Sequence, residues 1–226
     1  LPMFSKKIIA LAISAAFVAS CSKKNEVTLA NKNFESEIEL RQNLVFTFDK
    51  ELAPDSLIDR WDSTQYISIT PQVKGLFKWN NKKELLFSPA KGFEPSTDYV
   101  ASLTKNIVKH QNVYSVREEK YSFHTPYLNL TETRGYWSKS SLGNDAVALM
   151  LNLGFNYNIN PSQLATLLTV KIDGKQTPLK ITSAQVNDEA VISIEGFTKN
   201  NIQKVTADIN IAAGLFCVES KYKTTA

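Results

Sequence analysis

Apolar and polar residues alternate along much of this chain after its first thirty positions, with the period of two that belongs to half-buried strands. The clearest case is Leu44-Val-Phe-Thr-Phe48, where Leu44, Phe46 and Phe48 share one face. It leads through Leu52 to Pro54-Asp-Ser-Leu57, and the proline, which has no donor for a strand ladder, ends the strand. About 107 residues later the pattern returns: Phe46, Phe48, Leu52, Pro54 and Leu57 fall on Leu153, Phe155, Ile159, Pro161 and Leu164. Further on, Tyr99-Val-Ala-Ser-Leu103 matches Val205-Thr-Ala-Asp-Ile209 at nearly the same spacing. Two matches in one order predict two copies of one domain, each long enough to bury its own core.

In the first copy the alternation predicts strands over Ile38–Leu40, Leu44–Phe48, Tyr66–Thr70, Val73–Trp79, Glu84–Ser88, Tyr99–Leu103 and Lys120–Thr125. Pro54–Leu57 reads as a turn, extended at most to one short helical turn ending near Trp61. Asn80-Asn81-Lys82 reads as a hairpin turn, because asparagine tolerates positive φ. Roughly seven short strands with turn signals every eight to twelve residues describe an antiparallel sandwich. In the second copy Tyr127–Thr131 is extended and Ala146–Phe155 is the repeated strand. Leu168–Ile172, Asp173-Gly174 and Thr177–Ile181 form a hairpin, with further strands at Ala190–Ile194 and Val205–Ile211. Gly214-Leu215 closes the second sandwich, and the chain is expected to continue beyond Ala226. The fold class is therefore all-β, two tandem antiparallel sandwiches over residues 36–126 and 127–226.

The start of the chain has a different pattern. Lys6-Lys7 precede an apolar run from Ile8 to Phe17, then Val18-Ala19-Ser20-Cys21. About ten apolar residues are too few to span a bilayer, which needs about twenty, and the arrangement predicts a secretory signal over residues 1–20. Val18, Ala19, Ser20 and Cys21 resemble the lipobox of bacterial lipoproteins. That resemblance implies that Cys21 becomes the first mature residue and carries lipid, anchoring the chain to a membrane without spanning it. Ser22 in place of aspartate leans the reading towards the outer membrane, on a face left open. Polar residues from Cys21 to about residue 35 are expected to form a flexible tether.

Net charge is +4, and removing Lys6 and Lys7 with the leader leaves +2, too little to make nucleic acid the expected partner. With two cysteines, one assigned to lipid, and two histidines, neither a disulfide within a domain nor a Cys/His zinc site is expected, and no cofactor is called for.

The first copy resembles bacterial Ig-like domains through Phe46–Lys50, Pro54–Leu57, Ile67–Pro71, Val73–Gly75, Phe77–Trp79, Leu85–Pro89 and Pro95–Tyr99. The same succession is similar to the N-terminal macroglobulin-type domain of bacterial α2-macroglobulins, which are lipoproteins. The resemblance implies a membrane-tethered endopeptidase inhibitor whose partners are proteases, with these Ig-like domains as scaffold. An Ig-like surface lipoprotein for adhesion or for glycan or protein binding is the alternative.

No catalytic residue is expected. His124 lies beside Phe123 in an alternating strand, and Ser-x-x-Lys occurs three times in unrelated settings, at Ser20, Ser88 and Ser102. Cys217-Val-Glu-Ser220 departs from the Cys-x-Glu-Gln thioester of macroglobulins, because Ser220 replaces the acyl partner. Trp61, Trp79 and Trp137 suit packing more readily than a sugar platform. Asp49, Asp55 and Asp59 are too widely spaced for a calcium loop, so no metal is expected.

Overall fold

The computed structural model describes residues 25–222 apart from Asn112 and Gln203. Buried apolar side chains fall into two clusters, one drawn from Val27 to Phe123 and the other from Leu128 to Cys217. Each cluster is enclosed by its own pair of sheets.

The first cluster is built by β1 (Glu26–Val27), β2 (Leu29–Lys32), β3 (Leu44–Phe48), β4 (Trp61–Asp62), β5 (Ile67–Thr70), β6 (Gly75–Asn81), β7 (Glu84–Pro89), β8 (Asp98–Leu103), β9 (Ser115–Val116) and β10 (Lys120–His124). One sheet runs β2-β3-β7-β6-β4 and the other β10-β8-β5, every pair antiparallel. A short β1–β9 pair, parallel, stands apart. Alternation works as the pattern implies: Leu44, Phe46 and Phe48 are buried, and so are Phe77, Trp79, Leu85, Phe87, Tyr99 and Phe123 from the strands around them. Aromatic rings bind the two sheets together. Phe34 meets Phe46 at 5.5 Å and Phe123 at 5.2 Å, while Tyr99 stacks on Phe123 at 5.5 Å.

The second cluster is built by β11 (Leu130–Lys139), β12 (Ala146–Ile159), helix α1 (Pro161–Leu167), β13 (Leu168–Ile172), β14 (Lys175–Gln176), β15 (Lys180–Ile181), β16 (Asn187–Thr198) and β17 (Ala207–Ile211). Its sheets run β11-β12-β16-β15 and β14-β13-β17. Set beside the first sandwich, β11-β12-β16-β15 takes the order of β2-β3-β7-β6, and β13-β17 takes that of β5-β8. The repeat seen in the sequence is thus a repeat of strand order. Both domains are all-β sandwiches.

Four sequence expectations change. Residues 26–32 were expected in the tether, yet they form β1 and β2; Val27 is fully buried, and Thr28 N–H donates to Asp49 at 3.0 Å. A polar segment joins a sheet edge through its backbone, whatever its hydropathy. Ile38–Leu40 is no strand. Ile38 is buried, and only a bridge from Glu37 to His124 ties the segment to β10. The turn into β7 is Lys82-Lys83 and needs no positive φ, because the Asn81 carboxamide accepts from Lys83 N–H at 2.9 Å. The Asp173-Gly174 turn has φ of 48° and 78°, as that dipeptide implies, but β14 ends at Gln176 and the chain crosses to β15 in the other sheet.

Candidate functional site

Val18, Ala19, Ser20 and Cys21, expected from the sequence to form a lipobox with lipid on the cysteine, lie outside the described residues. The remaining candidate groups can be placed one by one.

Asp49, Asp55 and Asp59 do not converge. Each faces a different lysine: Lys50 at 3.2 Å, Lys82 at 3.1 Å and Lys78 at 3.5 Å. Among the described residues no cluster of three His, Cys, Asp or Glu side chains could hold a metal. Burial works to raise the Asp49 carboxyl, but Thr28 N–H and the Lys50 ammonium outweigh it and hold it below the usual range.

His124 ends β10. Its ring stacks on Tyr127 with centroids 4.3 Å apart, and Nδ1 lies 3.0 Å from the Thr125 carbonyl and 3.8 Å from Glu37. These contacts place it in a joint. Ser88 and Ser102 lie in strands β7 and β8, without the helix that a Ser-x-x-Lys nucleophile requires. Cys217 is buried beside Ile159, and burial pushes its thiol up, away from the thiolate that reacts. Glu219 is engaged elsewhere, accepting from Asn158 N–H at 3.0 Å.

The tryptophans separate. Trp79 is buried and Trp137 packs edge-on against Phe197 at 5.0 Å. Trp61, 54% exposed on edge strand β4, presents its ring to solvent with Lys78 at 5.7 Å from its centroid. Leu76, two positions from Lys78 along β6, is exposed too.

Polar groups also link up at the passage between the sandwiches. Thr97 N–H donates to Thr125 Oγ1 at 3.0 Å, and Thr125 Oγ1 donates to the Glu94 carbonyl at 2.8 Å. Ser96 N–H reaches the Pro126 carbonyl at 3.1 Å, and Ser96 Oγ accepts from Leu128 N–H at 3.1 Å. Ser96, Thr97 and Thr125 are almost wholly buried, so these bonds are shielded from water. Tyr127 OH donates to Asp98 at 2.5 Å, and this bond, then burial, pushes the phenol up to about 12. From the far end of the chain Ser220 Oγ lies 3.2 Å from Thr97 Oγ1, and Lys221 pairs with Glu94 at 3.1 Å. A cleft of about 720 Å³ opens beside this joint, lined by residues 37–42, Pro126 and Tyr157. Sequence reasoning marked Pro126 as a boundary but gave no sign that residues 94–98 and 220–222 would meet there. Their separation along the chain hides that.

Comparison with known proteins follows the same division. Residues 26–125 match the bacterial Ig-like domain family. The chain is 24% identical over 178 residues to α2-macroglobulin of Pasteurella multocida strain Pm70, an alignment covering 76% of the chain. The chain spans 9% of that relative's length. The first domain is thus similar to bacterial Ig-like domains, and the chain is similar to a bacterial macroglobulin. Among solved structures, an L,D-transpeptidase from Mycobacterium smegmatis overlaps 70% of this chain and 54% of its own, at 12% identity and a TM-score of 0.31. L,D-transpeptidase 3 from Mycobacterium tuberculosis overlaps 66% and 47%, at 13% identity and a TM-score of 0.29. Overlap of this size transfers no chemistry.

Proposed function

We propose that this chain is the N-terminal scaffold of a membrane-anchored, α2-macroglobulin-like endopeptidase inhibitor, held in the bacterial envelope by lipid on Cys21. The observation that carries the reading is the reach of the macroglobulin similarity: 178 aligned residues extend well beyond the Ig-like match at 26–125 and into the second sandwich. The two domains act as a spacer between the anchor and whatever part of the longer protein engages proteases. Their polar groups support that role, since a partly buried network joins domain to domain. Val18-Ala19-Ser20-Cys21 supports the anchor, and Ser22 favours the outer membrane. A second reading, an Ig-like surface module that binds glycans or proteins, draws on the exposed Trp61 ring with Leu76 nearby.

Two measurements test this. Metabolic labelling with a lipid precursor is expected to mark the wild-type protein and to miss Cys21→Ala, which should leave the membrane fraction; equal labelling of both rejects the anchor. Natural-length protein incubated with an endopeptidase is expected to retain the protease on gel filtration and to shield it from large substrates. Free, fully active protease beside an intact chain would sink the inhibitor reading, and glycan binding lost in Trp61→Ala would put the second in its place.

A further inference from the structure

The two sandwiches differ at the edge beside β17. In the first, β8 is flanked by β5 and by β10, which runs antiparallel from Lys120 opposite Ser102 to His124 opposite Asp98. Through β10, Phe123 sinks against Phe34, Phe93 and Tyr99. In the second, β17 pairs with β13 alone among the described residues. Beside the bare edge lies a cleft of about 470 Å³ whose walls include Leu128, Leu130, Phe155, Ile209, Ile211 and Leu215. Tyr99 and Ala101 on β8 are buried, whereas Ile209 and Ile211 on β17 stay half-exposed.

We propose that this edge and cleft seat one further strand of the same polypeptide, following Ala226, antiparallel to β17 and with a bulky apolar side chain in the cleft. The repeat locates it. Carrying Lys120–His124 forward by the spacing of about 107 residues puts the counterpart at positions of about 227–231, with the equivalent of Phe123 near position 230. The path of the chain agrees. Ala212 N–H bonds the Leu167 carbonyl, Cys217 bridges to Ile159, and Ser220 and Lys221 touch Thr97 and Glu94. The chain is therefore held at the end of the sandwich where β17 finishes, where a strand antiparallel to it must begin. Size selects the occupant. Five residues of free edge span about 17 Å, room for one extended strand, while a stable contact with a second folded protein covers about 800 Å² on each partner. An added strand would satisfy the unpaired N–H and C=O groups of the edge.

The test compares hydrogen exchange in the natural-length protein with that in a chain stopped at Ala226. The β17 amides that point away from β13 are expected to exchange at least about tenfold more slowly at natural length. Should the shortened chain not fold, aspartate placed at the apolar position near 230 of the natural-length protein is expected to restore fast exchange in β17 and to leave β8 unchanged. Equal exchange in both chains, protection insensitive to that aspartate, protection that arises only on adding another protein, or a reading frame that stops before position 231 would overturn the proposal.

Discussion

A hydrogen atom at Gly75 sets how closely β6 and β7 approach. A methyl group there would lie 2.4 Å from the Ser88 carbonyl oxygen and 2.5 Å from the Phe87 ring. Gly75→Ala is therefore expected to cost about 1–3 kcal/mol, read from the shift in urea midpoint at constant slope. Gly143→Ala, with nothing within 4 Å, should stay within about 0.5 kcal/mol of wild type. Tyrosines give a second test at this scale. Burial, then the bond to Asp62 at 2.6 Å, pushes Tyr66 up to about 12; burial does the same for Tyr99. A raised folded value means that the folded state keeps a proton the unfolded chain would lose. This stability is complete below pH 10.0, the ordinary value, and is lost as pH rises through about 12. Tyrosinate absorbance followed with circular dichroism should show these rings ionising together with unfolding; ionisation near pH 10.0 in a still-folded chain would contradict it. The buried rings were legible in the alternation of their strands. Gly75 was legible only as a residue in a strand, since what it faces depends on β7.

At the scale of elements, one repeated motif folds in two ways. After β3, Pro54 opens a single 3-10 turn over Asp55–Leu57, and Ile58 is extended again, bridged to Trp79. After β12, Pro161 opens α1, and the Asn160 carboxamide caps it by accepting from Ser162 N–H at 2.9 Å. Position 53 carries alanine, which has no capping group, and β-branched Ile58 favours extended backbone where Ala165 favours helix. Asn160→Ala should lower stability by about 1 kcal/mol in chemical denaturation, with α1 amides exchanging faster and the first domain unaffected. No change would mean that packing of Leu164 holds α1 without its cap. The shared proline made the repeat readable, whereas the difference in outcome lay in flanking residues. Strand β11 was legible only at its start. Its outward residues Glu132 and Arg134 pair with each other at 2.6 Å, and it joins the sheet by backbone register with β12, which hydropathy does not report.

For the whole molecule, the joint decides whether the two sandwiches unfold together. Ser96 has φ of 48°, so glycine can replace it without strain while removing the hydroxyl that accepts from Leu128 N–H. Ser96→Gly leaves that buried amide unpaired and is expected to cost about 1–3 kcal/mol. Calorimetry should then resolve two transitions further apart than in wild type; an unchanged trace would show that the remaining bonds suffice. The joint also carries a mechanical consequence. The first sandwich makes two parallel contacts near its chain ends: β1 with β9, and residues 36–38 with His124 through bonds of 2.8 and 2.9 Å. Held on its N-terminal side and pulled from its C-terminal side, the domain meets that force as shear along both contacts. Their hydrogen bonds must yield together instead of opening one after another. Endurance under tension then follows the rate of unfolding, not the equilibrium between folded and unfolded chain.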